Sequence, residues 1–304
     1  MTVETSLVRA WLASFLLLGS LIFFCIGIVM FPIQYDPRLP NNLKLRIIDV
    51  ENPFGGPPLK WASENDLFFA RNFPSSFRFD SEVKEDILRV MLAESHESAS
   101  CLVDSGAHIG DLSIPIAASL LHYNYLKQVV YAIEPSAFKC EFIRLIAHIN
   151  KLDNIIVICA GLSDEQETLT NDSIADRNTG STMWKKTSLI SQAPLKLEDW
   201  RVDTAKKKKE AIIFQKLDHM LEVGLINHRI AALHLDVEGM EEKAILGALN
   251  TLKRDLPYLS IEEWKEMKVM NHFSHLPYKY LHSKGHNNCF VAMKQTPEKE
   301  HAEN

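Results

Sequence analysis

Residues 101–134 read CLVDSGAHIGDLSIPIAASLLHYNYLKQVVYAIE. A short apolar run, Cys101-Leu102-Val103, ends at Asp104, and a turn carrying two glycines follows, Ser105-Gly106-Ala107-His108-Ile109-Gly110. Apolar residues then recur at helical spacing, which predicts a helix over residues 112–126 with Ile116, Leu120 and Tyr123 on one face. A second apolar run, residues 129–133, closes on Glu134-Pro135. Strand, tight turn, helix and strand, with an acid at the end of each strand, make one βαβ unit able to hold a nucleoside. A doubly wound, mostly parallel α/β sheet is built from such units.

Each part of that unit has its own chemistry. Gly106 and Gly110 permit backbone angles and close approaches that a Cβ would block. Amides at the start of the following helix face the turn and favour negative or polar ligand groups. Glu134 can accept two hydrogen bonds from a pair of ribose hydroxyls. Pro135 lacks an N–H and stops the strand ladder there. The glycines are spaced G-x-x-x-G rather than the G-x-G-x-x-G of dinucleotide-binding turns. Asp104 before them repels a pyrophosphate and tolerates a cationic sulfonium.

Downstream the βα alternation continues. Ser136 stands where a helix cap belongs, and Phe138, Phe142, Leu145, Ile146 and Ile149 follow at helical spacing. Residues 155–159 predict a third, buried strand, after which Ser163 sits in a loop at the same sheet edge as Gly106 and Glu134. Residues 231–236 predict a fourth strand, and alternation puts His234 and Asp236 on one face. Asp236 then ends a central parallel strand, where ligands bind in open α/β sheets. A buried carboxylate at that place needs a donor, a metal or a substrate. Asp236 and Glu238 also read as caps of a following helix that carries Met240, Ala244, Ile245 and Leu249. Residues 259–262 predict a fifth strand, ending in acids, and residues 289–293 a last one. Residues 165–209 read as polar and irregular, with Lys206-Lys207-Lys208-Lys209 a solvated run. His272, His275, His282 and His286 fit no zinc spacing, so no metal site is predicted. Cys25, Cys101, Cys140, Cys159 and Cys289 read as buried thiols rather than a disulfide framework.

Three segments in order, residues 103–110, Glu134-Pro135-Ser136 and Leu235-Asp236-Val237-Glu238-Gly239, resemble the motifs of class I S-adenosylmethionine-dependent methyltransferases, and of the FkbM family in particular. The resemblance covers residues 100–262. It implies a Rossmann-like, mostly parallel sheet, S-adenosyl-L-methionine as cofactor, and methyl transfer to an oxygen of a small molecule or glycan. Carried over residue by residue, Asp104, Gly106, Ala107 and His108 would frame the methionine portion and Gly110 would open the helix. Glu134 would hold the ribose and Ser163 would lie near the adenine. Asp236, His234 and Glu238 would serve the acceptor, with Asp236 or His234 taking its proton. The chain departs from the family at His108, where Asn is usual, and at His234, where Lys is usual. Both replacements still hydrogen-bond.

The amino-terminal end has a different character. Residues 10–31, AWLASFLLLGSLIFFCIGIVMF, are uncharged over about 22 residues, enough to cross a hydrocarbon core of roughly 30 Å as a helix. The length of the run and its ending in Met30-Phe31-Pro32 predict a retained membrane anchor rather than a cleaved signal. The prolines and glycines between Pro32 and Pro58 read as a semi-stiff spacer. Asp80 or Ser81 then caps a helix carrying Val83, Ile87, Val90 and Met91. The predicted plan is a tail at 1–9, an anchor at 10–31, a spacer at 32–64, a methyltransferase-like domain at 65–294 and a polar tail at 295–304. The formal net charge of −6 gives no field that would gather nucleic acid. Two other function classes fit the same architecture. A nucleotide-dependent oxidoreductase is disfavoured by the glycine spacing. A catalytically silent, membrane-anchored binding module would keep only the fold.

Overall fold

The computed structural model describes residues 45–64, 81–171, 184–186, 211–262, 272–273 and 275–293. The expected anchor at 10–31, the lysine run at 206–209 and the tail at 295–304 lie outside them. Among the described residues no helix is long and apolar enough to cross a membrane.

The elements run β1 (Leu45–Val50), β2 (Leu59–Glu64), α1 (Ser81–Ala93), β3 (Ser100–Ser105), α2 (Ser113–His122), β4 (Val129–Ile133), α3 (Ala137–Ile149), β5 (Ile155–Ile158), β6 (Gly161–Leu162), β7 (Glu167–Asn171), β8 (Trp184–Lys186), β9 (Ala211–Gln215), α4 (Leu217–Glu222), β10 (Arg229–Leu235), α5 (Glu241–Leu246), α6 (Leu249–Asp255), β11 (Tyr258–Glu262), β12 (Tyr278–Lys284) and β13 (Asn287–Ala292). Seven strands form the main sheet in the order β12-β13-β11-β10-β3-β4-β5. The pairs β3–β4, β4–β5, β3–β10 and β10–β11 are parallel, and β13 runs antiparallel to both of its neighbours. The chain winds outward from β3 toward β5, then returns to lay β10 on the other side of β3. The strand order therefore reverses between β3 and β10, which opens a crevice at their carboxyl ends.

Both faces of the sheet are covered, as parallel strands require. Val83, Ile87 and Met91 of α1 and Ile116 and Leu120 of α2 close over Leu102, Val130, Ala232 and Tyr258. Leu217 and Met220 of α4, Ala244 and Ile245 of α5 and Leu252 of α6 close over Val103, Tyr131, Leu233, Leu235 and Ile261 on the opposite face. The result is an α/β fold with a large, mostly parallel sheet.

Several local expectations change. The helix after the glycine turn stops at His122 rather than at 126. Asn124 adopts a left-handed φ of 63°, the Tyr125 amide donates to the Leu120 carbonyl and the Asn124 amide to Leu121. Those bonds satisfy the last carbonyls and end the helix, so Tyr123 and Leu126 are exposed rather than in the core. The third strand is a sheet edge, with Ile156 exposed, rather than buried. The helix after Gly239 is two short helices, because Gly247 must pass against the Ser163 carbonyl, 2.0 Å from where a Cβ would stand. Part of the stretch expected to be irregular forms a second sheet of four strands, β6-β9-β7-β8, around Leu169, Ile212 and Phe214. Cys140 and Cys159, expected as thiols, form a disulfide with Cα atoms 5.9 Å apart, whereas Cys101 and Cys289 are buried thiols.

The largest change is at 45–64, expected as the end of the spacer. These residues pair as an antiparallel hairpin, β1–β2. Leu59 and Trp61 are buried against α3, with the Trp61 and Phe142 rings 6.2 Å apart. The Asn150 side chain pairs with β2 through Lys60, accepting from its amide and donating to its carbonyl, both at 2.7 Å. The hairpin is thus part of the domain core. Trp61→Ala should lower unfolding free energy by about 3–5 kcal/mol, the usual loss for a buried aromatic. Urea unfolding measures it, and a loss under about 1 kcal/mol would return the hairpin to the status of a spacer.

Candidate active site

The crevice begins with backbone. Gly106 has a φ of +83°, and a Cβ there would lie 1.6 Å from the Asp236 carbonyl oxygen. No other residue lets the turn after β3 touch the end of β10 so closely. The Gly106 and Ala107 amides both donate to the Ile133 carbonyl, at 2.9 and 3.1 Å. The turn is therefore tied to the end of β4 as well. His108 follows with a φ of 51°, and Gly110, at +87°, leads into α2. A Cβ on Gly110 would stand 2.9 Å from Ile114.

Glu134 is buried at the end of β4. Its Oε2 accepts the His108 amide and its Oε1 the Ser136 amide, each at 2.9 Å. Lys139 Nζ lies 3.9 Å away. A carboxylate has about four acceptor sites, of which these two amides use two. The sequence brought Glu134 and the glycine turn into one site, and the structure places them in direct contact.

Asp104 has a different use from the expected one. Its buried carboxylate accepts the Ser113 hydroxyl through Oδ2 and meets His234 Nδ1 through Oδ1 at 3.0 Å. An ionised carboxylate only accepts, so Nδ1 carries the proton and Nε2 is left with its lone pair. Nε2 has no hydrogen-bond partner among the described residues. Asp104 orients His234 rather than facing a ligand. This Asp–His arrangement is one that fixes an imidazole as a general base.

Asp236 stands just past β10, beside Glu262 at the end of β11. Burial pushes its carboxyl up to about 10, helped by a hydrogen bond with Glu262 and by the charges of Glu262, Glu238 and Asp111. Its Oδ1 is buried without a partner. In the ligand-free protein the protonated form of Asp236 is thus favoured. Glu238 and Gly239 take consecutive left-handed angles of 52° and 94°. Met240 occupies the cap position of α5, which has no side-chain cap, so neither Asp236 nor Glu238 caps that helix.

Ser163 does not join these residues. Its buried hydroxyl donates to Glu167 Oε1 at 2.6 Å, at the seam with the second sheet. Two participants were missed from sequence. Lys84 of α1 is buried and reaches Asp111 Oδ2 at 2.8 Å. Burial would raise the Asp111 carboxyl, but Lys84, with His108, holds it below the ordinary range. Lys84 gave no signal because it lies on the apolar face of α1. Glu262 gave one, as the acid ending yet another strand.

Residues 104–285 match a family model described as Methyltransferase FkbM domain. Among solved structures, methyltransferase FkbM from Methylobacillus flagellatus KT is 16% identical, with a TM-score of 0.42, over 74% of this chain and 60% of that one. Precorrin-6y C5,15-methyltransferase from Geobacter metallireducens GS-15 is 11% identical, with a TM-score of 0.34, over 70% and 88%. TYW2 from P. horikoshii, crystallised with MeSAdo, is 14% identical, with a TM-score of 0.38, over 84% and 72%. The chain thus spans about 60% of the length of the first of these proteins. No curated protein matches the sequence.

The raised Asp236 carboxyl has a thermodynamic consequence. Between about pH 4 and pH 10 the folded chain keeps a proton that the unfolded chain has lost. Stability from this group is fully present below about pH 4 and falls as pH rises, by up to about 1.4 kcal/mol per unit. Asp236→Asn removes that dependence. Urea unfolding at pH 6 and pH 8 should show the wild type losing on the order of 1–3 kcal/mol relative to the variant. Parallel losses would mean that Asp236 is ionised in the fold.

Proposed function

The chain belongs to the FkbM methyltransferase family, and we propose that it methylates an oxygen of a small molecule or glycan while anchored to a membrane by residues 10–31. S-adenosylmethionine is the family's cofactor, and the residues present fit it. Glu134 offers acceptor capacity for two ribose hydroxyls beside a turn held against β10. The acids past β10 and β11 suit a cationic group. When bound, the cofactor supplies a methyl already activated on a sulfonium.

The protein's own work is alignment, exclusion of water and removal of the acceptor's proton. The observation that carries the oxygen-acceptor reading is the Asp104–His234 pair. Its Nε2 lone pair can take the hydroxyl proton, and the resulting imidazolium is stabilised by the buried Asp104 carboxylate. An acceptor that is already anionic would need no such group. The domain itself spans the hairpin at 45–64 and the main sheet, with the residues before 45 serving as tether.

Comparing metabolites and glycans from cells with and without the gene identifies the acceptor by a mass difference of one methyl. With that acceptor, His234→Gln should keep cofactor affinity and lower single-turnover transfer on the order of 10² or more; unchanged turnover would remove His234 as the base. Glu134→Gln should weaken S-adenosylmethionine binding by about 1.5–3 kcal/mol in calorimetry, the range for a charged hydrogen-bonding group. Equal affinity in the folded variant would take Glu134 out of the ribose site. A chain starting near Asp36 should stay in solution and bind cofactor, since an apolar span of this kind belongs to the bilayer. Aggregation of that shorter chain would place residues 10–31 in the fold.

A further inference from the structure

Asp236 and Glu262 occupy successive positions past a parallel pair whose register runs His234 to Ser260 and Leu235 to Ile261. Their carboxyl groups therefore meet side by side at the mouth of the crevice, one hydrogen-bonded to the other. A bond between two carboxyl groups requires a proton on one of them. The acids around the pair act in the same sense. Glu238 faces it from the turn after β10, Asp111 from the turn before α2, and Glu241 from α5. Among the described residues, the cations nearby are committed elsewhere. Lys84 is on Asp111, and the His234 ring is on Asp104 beneath the pair. His108 acts on Asp111. Asp236 Oδ1 is buried without a partner and adjoins the Gly106 turn through its own backbone.

We propose that the Asp236–Glu262 carboxyl pair senses the charge of the cofactor, releasing its shared proton to solvent when the cationic S-adenosylmethionine binds and retaining it when the neutral product S-adenosylhomocysteine binds. Glu262 is here a positioning residue that acts through Asp236. This rests on the methyltransferase reading above. The balance is simple. The pair holds one proton in the free protein, and a positive charge in the crevice replaces that proton as the counter-charge. After transfer the methyl has left sulfur with its charge, and the pair takes one proton back from solvent. The arrangement favours substrate over product where their shapes differ by one methyl, and it makes that preference grow with pH.

The test needs no acceptor. Titrate the wild-type protein with S-adenosylmethionine and with S-adenosylhomocysteine at pH 6.0–7.5, in buffers of different ionisation enthalpy. Protons should be released with the first ligand and not with the second, and the affinity ratio should rise by up to tenfold per pH unit. Glu262→Gln removes the partner charge, so both the difference in proton release and the pH dependence of the ratio should disappear while both ligands still bind. Equal proton release for the two ligands in the wild type, or an unchanged difference in Glu262→Gln, overturns the proposal. Should neither ligand bind the folded wild-type protein, the cofactor reading fails before the pair is reached. If Glu262→Gln does not fold, Asp236→Asn gives the same comparison.

Discussion

The site depends on the contact between Gly106 and the carbonyl of Asp236, with 1.6 Å left for a Cβ that is not there. Around it, the Asp236 amide donates to the Ser105 carbonyl, and the Gly106 and Ala107 amides donate to Ile133. One four-residue turn therefore fixes the ends of β3, β4 and β10 to each other. Asp104, Glu134, His234 and Asp236 all lie within one residue of those ends. Any side chain at 106 would push β10 away from β3 and separate His234 from Asp104 at the same time.

The acids at these strand ends fall into two groups. Glu134 receives two amides, Asp104 receives a hydroxyl and an imidazole N–H, and Asp111 receives an ammonium. Each is supplied with donors, which offsets a desolvation cost on the order of several kcal/mol per ion. Asp236 and Glu262 instead stand side by side past β10 and β11, and among the described residues Asp236 Oδ1 is buried without a partner. A folded protein does not gain stability from that juxtaposition. It persists because the sheet's core holds both strands in register.

The βαβ unit was legible in the sequence because periodicity and glycine chemistry are local. The mostly parallel sheet and the meeting of Glu134 and the glycine turn at one of its edges followed from it. The errors arose where local signals point two ways. Prolines and glycines at 53–58 read as linker, yet they make the turn of a hairpin whose apolar residues lie further on, at Leu59 and Trp61. The helical pattern runs on through Tyr123, but Asn124 offers a left-handed exit that ends it. The partner of Asp104 could not be read at all, because it lies 130 residues away and is set by the β3–β10 register. The resemblance gave Asp104 a ligand-facing role, and the register gave it His234.

That register places structure and chemistry on the same strands. On the face under α1 and α2, Leu102, Ala232 and Tyr258 lie in one row across β3, β10 and β11. Two residues on, Asp104, His234 and Ser260 form the next row, with the Ser260 hydroxyl donating to Asn287. The apolar row anchors the sheet, and the polar row orients the imidazole. A slip of one residue between β3 and β10 would bring Leu233 or Leu235 opposite Asp104 and bury the carboxylate against aliphatic carbon. The hydrogen bonds that hold the parallel ladder therefore also hold the tautomer of His234. The turn at 236–240 that follows carries two left-handed residues, Glu238 and Gly239. The imidazole itself is thus fixed by the core of the sheet.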